Sequence, residues 1–338
     1  MRKNAPDPRR RRGKRLSDGG QVKMNVPFLL KPAGKNYLWG GDRLNTDFGK
    51  NIKLSPLAET WECSVHPDGP STAATGRYAG TGLAQILKMH PEYLGTNCGN
   101  KGLPVLIKFI DAKQNLSVQV HPDDAYANEN ENGQSGKNEL WYVVDAEPGA
   151  CLIVGMKKDC TPDEVREAIA GGTLETLLNR IPVKKGEAYY IPAGTVHAIC
   201  SGVLIAEIQQ NSNLTYRLYD YNRRDAYGMP RELHVGKALD VADLRGREAK
   251  KADYTSESGD GTVCENGLFR VGRRSGEIRD FSAGKDSFAV ILCVSGSGLL
   301  KYRGGGMPIK AGDCVFVPAK SYRMNITGDL EMLITSVI

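Results

Sequence analysis

Polar and apolar positions alternate over short runs along most of this chain. In "LSVQVHPDD" (116–124), Ser117, Gln119 and His121 fall at every second place and share one strand face, while Leu116, Val118 and Val120 share the other. The apolar stripe is expected to line the core of a barrel; a hydroxyl, an amide and an imidazole in a row need a separate reason. Similar short runs are "LPVLIKFIDA", "ELWYVVDA", "ACLIVGM", "EAYYIPAG", "VLIAEIQQ", "DSFAVILCVSG" and "GDCVFVPA", each bounded by Gly, Pro, Asn or Asp. Such spacing predicts a mainly β protein, a sandwich or barrel. One helical insertion interrupts it near 160–180. Thr161 can cap, Pro162 suits the first turn, and Asp163 and Glu164 favour its positive end. Gly171-Gly172 then separates two predicted helices, the second carrying Leu174, Leu177 and Leu178. A further short helix is predicted within 82–95.

The chain repeats itself. "GEAYYIPAGTVH" (186–197) and "GDCVFVPAKSYR" (312–323) share a Gly, five residues, Pro-Ala, and a polar side chain at the twelfth place. Each reads as a strand that ends in a Pro-initiated turn and re-enters as the next strand. Two copies of one β-barrel unit follow. His197 in the first copy corresponds to Arg323 in the second, and Gly194 to Lys320; if a metal binds, the first copy holds it. The border is placed in "REAKKADYTSESGDGT" (247–262), which is charged and lacks apolar periodicity.

Composition changes this picture little, and charge does so at one end. The chain of 338 residues is 40% hydrophobic and 25% charged, ordinary for a soluble protein. Its net charge of +6 comes from residues 1–23, where nine Lys or Arg stand against Asp7 and Asp18; the rest holds 36 basic and 37 acidic residues. A near-neutral body excludes nucleic acid as the expected partner, and residues 1–23 read as a disordered basic extension ahead of Met24. No apolar run is long enough for a membrane span or a signal peptide. Eight cysteines without a C-x-x-C pair read as reduced thiols in a cytoplasmic protein.

The pattern G-x5-P-x-G-x2-H ending at His197 resembles the second motif of the cupin superfamily. The first cupin motif is expected to carry H-x-H and then a Glu; here it reads Gln119-x-His121, with Glu139 delayed to "GKNELWYVV". Together with "AETWECSVHPDGPS" (58–71), "IPAGTVHAI" and "NSNLTYRLYDYNR" (211–223), these segments resemble type I phosphomannose isomerases of the short bacterial form, from about residue 25 to the C-terminus. The resemblance implies two cupin-type, jelly-roll-like barrels: residues 24–246 holding the metal, and 263–338 without ligands. It implies one Zn²⁺ per chain on His121, Glu139 and His197, with the Gln119 carbonyl as a fourth ligand, a donor set suited to a borderline divalent cation.

The implied reaction interconverts mannose 6-phosphate and fructose 6-phosphate through a cis-enediol. Arg217 matches the family's active-site arginine, its alternative being a structural pair with Asp220. Lys137, two places before Glu139, shares its strand face and is expected at the substrate, as is Ser117. The base stays open between Glu207, which departs from the family spacing by about a residue, Lys137 and a metal-bound water. The partner implied is a hexose 6-phosphate, with the chain a monomer or homodimer. A cupin oxygenase and a non-catalytic sugar-phosphate sensor are the rival readings; Gln119 in place of a third imidazole weighs against iron.

Overall fold

The computed structural model describes residues 25–224, 227–246 and 260–338. The basic extension and most of the expected border at 247–262 lie outside these residues. In chain order come β1 (Phe28–Lys31), β2 (Ala33–Lys35), β3 (Glu59–Cys63), β4 (Thr72–Ala73), β5 (Val105–Ala112), β6 (Val118–Val120) and β7 (Glu139–Ala146). Then follow β8 (Cys151–Met156), β9 (Leu178–Pro182), β10 (Ala188–Ile191), β11 (His197–Ile199), β12 (Val203–Gln210) and β13 (Tyr216–Tyr219). Beyond residue 260 lie β14 (Gly261–Glu265), β15 (Phe269–Ser275), β16 (Ile278–Phe281), β17 (Ala289–Tyr302), β18 (Gly305–Lys310), β19 (Cys314–Val317) and β20 (Met324–Val337).

Two sheets form the first barrel: β10-β7-β12-β5-β3-β2 and β13-β6-β11-β8-β9. The six-stranded sheet is covered on both faces, which is why β5 and β12 are buried along their full length. The period of two sorts its side chains. Ile107, Phe109, Leu140, Tyr142, Leu204, Ala206 and Ile208 pack outward with Phe288, Val290, Leu292 and Phe316 of the C-terminal half. Ile110, Trp141, Val143, Val203 and Ile205 point inward, where they meet Leu152, Val154 and Ile199 of the five-stranded sheet. The charged members of these strands follow the same alternation, so Glu59, Lys108, Glu139 and Glu207 share the inward face.

The five-stranded sheet corrects one expectation. Val118 and Val120 do not line the barrel interior; they pack on its outside with Val165, Ala168, Leu174, Leu218 and Ala238. A helical layer covers that side, and it gives the apolar stripe its partner, leaving the polar stripe to face inward. The first helix of this layer, Pro162–Ala170, starts with the expected cap: Thr161 Oγ1 accepts from Glu164 N at 3.2 Å, and Glu164 Oε2 accepts from Thr161 N at 2.7 Å. The expected second helix is instead a single 3₁₀ turn, Leu174–Leu177, because Leu178–Pro182 is drawn into the sheet as a partner of β8.

The second barrel is built on the nine-stranded sheet, whose main path runs β14-β15-β20-β17-β19-β1-β4. Strand β1 therefore leaves the N-terminal half and pairs with β19, Phe28 facing Phe316 in register, their rings 5.4 Å apart. The sheets thus divide the chain differently from the sequence border.

Candidate active site

The loop turns bring the two sequence motifs together. Gly194, left-handed at φ 85°, donates its N–H to the His121 carbonyl at 2.9 Å, clasping the turn before His197 to the end of β6. Strand β11 lies beside β6 with His197 opposite Gln119, and β6 beside β13 with Arg217 opposite Gln119. Glu139 opens β7 on the facing sheet. One ligand atom from each of His121, Glu139 and His197 lies within 4.8 Å of the others, and all three residues are buried.

The trio is only partly satisfied: Lys137 Nζ lies 3.2 Å from His121 Nε2, while His121 Nδ1 has no hydrogen-bond partner. His121 Nε2 is 3.2 Å and His197 Nε2 3.7 Å from the Glu139 carboxylate. Lys137 Nζ stands 2.6 Å from Glu139 Oε1, yet neither carboxylate oxygen receives an aligned hydrogen bond, and His197 Nε2 has no partner either. His197 Nδ1 sits 2.8 Å from the Thr195 carbonyl, which fixes its proton there and leaves the Nε2 lone pair facing Glu139. Burial, then the Lys137 charge, pushes the His121 imidazole down to about 3; burial also lowers His197. Burial opposes ionisation of Glu139, but Lys137 and His121 outweigh it and hold the carboxyl well below its usual range. Two neutral imidazoles around an ionised, unsatisfied carboxylate fit a divalent cation.

Beside the trio opens a cavity of about 310 Å³ lined by Ser117, Gln119, Lys137, Glu207, Arg217 and Arg231, among others. All the expected site residues outside the buried trio therefore line one cavity. Arg217 Nε donates to Ser117 Oγ at 3.3 Å and Nη1 to the Glu232 carbonyl at 2.6 Å. The alternative pairing of Arg217 is not formed: the Asp220 carboxylate takes Arg223 and Arg231 instead. Glu207 Oε2 accepts from Trp141 Nε1 at 2.9 Å, and its Oε1 is 3.2 Å from Lys108 Nζ. Burial first, and the Glu139 charge second, raise the Glu207 carboxyl. Lys108 is fully encased between Glu207 and Glu59; burial works against its charge, and the two carboxylates overcome that and raise it.

Glu59, Lys108 and Arg231 escaped the sequence reading. The signal for Lys108 was present: a single cation inside "LPVLIKFIDA" must find a carboxylate or leave the core. Among its described residues the second barrel supplies no comparable cluster of metal-ligating side chains. Lys320 and Arg323, considered above as replacements for Gly194 and His197, are both exposed.

Comparison with known proteins agrees with this geometry. Residues 28–147 match the family described as phosphomannose isomerase type I, catalytic domain, and residues 279–337 match mannose-6-phosphate isomerase, cupin domain. A mannose-6-phosphate isomerase of Bacillus subtilis is 36% identical over 312 residues, covering 91% of this chain and 98% of that one. One from Streptococcus mutans is 35% identical over 314 residues, covering 92% and 98%. The crystal structure of a mannose 6-phosphate isomerase from Bacillus subtilis superposes with a TM-score of 0.82 at 37% identity, covering 92% of this chain and 99% of that one. The apo enzyme of Salmonella typhimurium, at 17% identity and a TM-score of 0.70, shares the fold. Similarity of this extent at both ends of the chain has one reading: the chain belongs to the type I phosphomannose isomerase family, a metal-dependent group.

Proposed function

We propose that the chain interconverts D-mannose 6-phosphate and D-fructose 6-phosphate by moving a proton between C1 and C2 through a cis-enediol. The observation that carries the reading is the buried His121–Glu139–His197 cluster at the edge of a cavity lined by Glu207, Lys137 and Arg217. His121, Glu139 and His197 would hold one Zn²⁺, with the Gln119 carbonyl oxygen as fourth donor. When bound, that ion supplies a Lewis acid for the sugar's carbonyl and hydroxyl oxygens.

The remaining work falls to the chain. Glu207 serves as the base: Trp141 fixes one carboxylate oxygen, and burial weakens the acid so that it exchanges a proton nearer neutrality. Lys108 keeps Glu207 oriented from behind. Lys137, against Glu139, presents an ammonium to the sugar oxygens and can hold a proton at Nζ. Arg217 and Ser117 anchor the substrate's hydroxyl or phosphate oxygens, and the Glu232 carbonyl keeps the guanidinium aimed. The enzyme works in the cytoplasm as a monomer or homodimer.

A coupled assay decides. Mannose 6-phosphate is expected to exceed free mannose in kcat/KM by at least about 10²-fold, because a bound dianion is worth several charge-assisted hydrogen bonds. Glu139→Ala is expected to lower turnover by about 10³-fold or more. Unchanged turnover in that variant, or oxygen consumption by the wild type, would overturn the reading.

A further inference from the structure

The outer face of the five-stranded sheet, turned away from the sugar cavity, carries a second reactive cluster. Ile199 of β11 stands opposite Leu152 of β8, so the next rung sets Cys200 directly across from Cys151. The Cys200 N–H donates to the Cys151 carbonyl at 3.3 Å, marking a hydrogen-bonded rung. Such rungs separate Cα atoms by about 5.5 Å, within the range a disulfide spans. Both side chains lie on the outward face with Ile153 and Ala198.

Strand β9 adds a cation on the same face. Arg180 Nη2 donates to Cys151 Sγ at 3.1 Å, while its Nη1 donates to Glu175 Oε1 at 2.9 Å. The Arg180 side chain is 47% exposed, whereas Cys151 is 8% and Cys200 2% exposed. Tyr221, a further titratable neighbour with Arg223 over its ring, keeps a buried hydroxyl without a hydrogen-bond partner. Among the eight cysteines Cys151 alone is shifted down, to about 6: the hydrogen bond with Cys200 lowers it most, burial opposes, and the Arg180 charge adds to the lowering. The other seven thiols are all shifted up.

We propose that Cys151 and Cys200 are a peroxide-sensitive thiol pair, with Cys151 as the attacking thiolate and Cys200 as the resolving thiol. The Cys151 sulfur attacks one peroxide oxygen; the S–O bond forms, the O–O bond breaks, and hydroxide leaves and takes up the proton that the Cys151 thiol had released. The Cys200 sulfur then attacks the resulting sulfenic sulfur. The S–S bond forms, the S–O bond breaks, and the Cys200 proton leaves with the hydroxide as a second water. Two thiols and one hydroperoxide give one disulfide and two waters.

The test uses the full-length, metal-loaded protein, reduced and then treated with stoichiometric hydrogen peroxide, followed by thiol blocking and peptide mapping. A Cys151–Cys200 linked peptide is expected, with two fewer free thiols, reversed by dithiothreitol. In Cys200→Ser, dimedone is expected to mark Cys151, and Arg180→Gln is expected to slow the peroxide reaction by about tenfold. Preferential oxidation of the more exposed Cys160 or Cys264, dimedone on Cys200 in Cys151→Ser, or a wild-type rate in Arg180→Gln would overturn the proposal. The wild-type map decides even where a variant fails to fold.

Discussion

The turns at 192–197 and 318–323 are built alike and surround different interiors. Gly186 and Gly312 begin the two repeats in the same left-handed conformation, at φ 87° and 89°, and Gly194 and Lys320 repeat it at φ 85° and 55°. Past the turn they diverge. His197 is buried against a carboxylate, whereas Arg323 reaches solvent. The second barrel is filled by Ile291, Cys293, Leu300, Met307, Ile309, Val315, Val317, Met324, Ile326, Leu330 and Met332. At the matching depth the first barrel holds Lys108, His121, Glu139, His197 and Glu207. Apolar filling is the cheap solution for a small barrel, because each buried charge needs a partner and a desolvation penalty met elsewhere. That the first barrel forgoes it is the physical mark of a site, and that the second adopts it is the mark of a scaffold.

The sharpest way to break this contrast is His197→Arg, which gives the first copy the residue of the second. Mannose 6-phosphate turnover is expected to fall by about 10³-fold or more, and metal analysis is expected to find less than one ion per folded chain. Turnover within tenfold of wild type would show that the polar interior is not organised around a cation.

Next in size is Lys108→Met, which asks whether the buried ladder behind the cavity tunes the base. Burial and Glu139 already raise the Glu207 carboxyl, and Lys108 opposes them. Removing the cation therefore raises it further. A base acts ionised, so activity that falls as pH drops through its pKa must begin to fall at higher pH in the variant. The acid limb of the kcat profile is expected to move upward, with kcat at neutral pH down about tenfold. A limb that stays put, or moves down, removes Glu207 from the base role.

Ile291→Ala addresses the second barrel. Deleting a fully buried aliphatic side chain there is expected to lower unfolding free energy by about 2–5 kcal/mol in denaturant titration. The kcat/KM of the folded fraction is expected to stay within about twofold, since the residue lies outside the cavity. The smallest effect belongs to Arg323→His. An exposed imidazole without a facing carboxylate is expected to gain no second ion and leave turnover unchanged; a second equivalent of metal would erase the distinction between the copies.

The resemblance, more than spacing, pointed to His121, Glu139 and His197, which the fold brings together: the two histidines sit in motifs at strand ends, whereas Glu139 follows an insertion and by itself reads as a solvated strand start. Sequence alone revealed Ser117, Gln119 and His121 as a face, since alternation needs no tertiary knowledge. Alternation does not say which face looks inward. Val118 and Val120 were expected in the barrel and instead meet the helical layer, a partner set by residues 162–178 folding back over β8 and β11. Lys108 and Glu59 meet a related limit: a lone cation in an apolar strand signals that it needs a carboxylate, but which one is set by the register across β12, β5 and β3, which pairs residues far apart in the chain. The 3₁₀ turn at 174–177 shows the same limit, since helix-favouring Leu and Glu yield there to a sheet edge that offers Leu178–Pro182 a ladder.

Because β1 is seated against β19, nearly three hundred residues separate two neighbouring strands. A ribosome making this protein exposes Phe28 and Leu30 long before β19 exists; the β4 partner of Leu30 follows soon after, but the β1–β19 ladder waits for the end of the chain. Closing so long a loop is slow, and either half translated alone would carry an open sheet edge ready to pair with a stranger. The two barrels can be told apart by their chemistry, yet as products of synthesis they mature together.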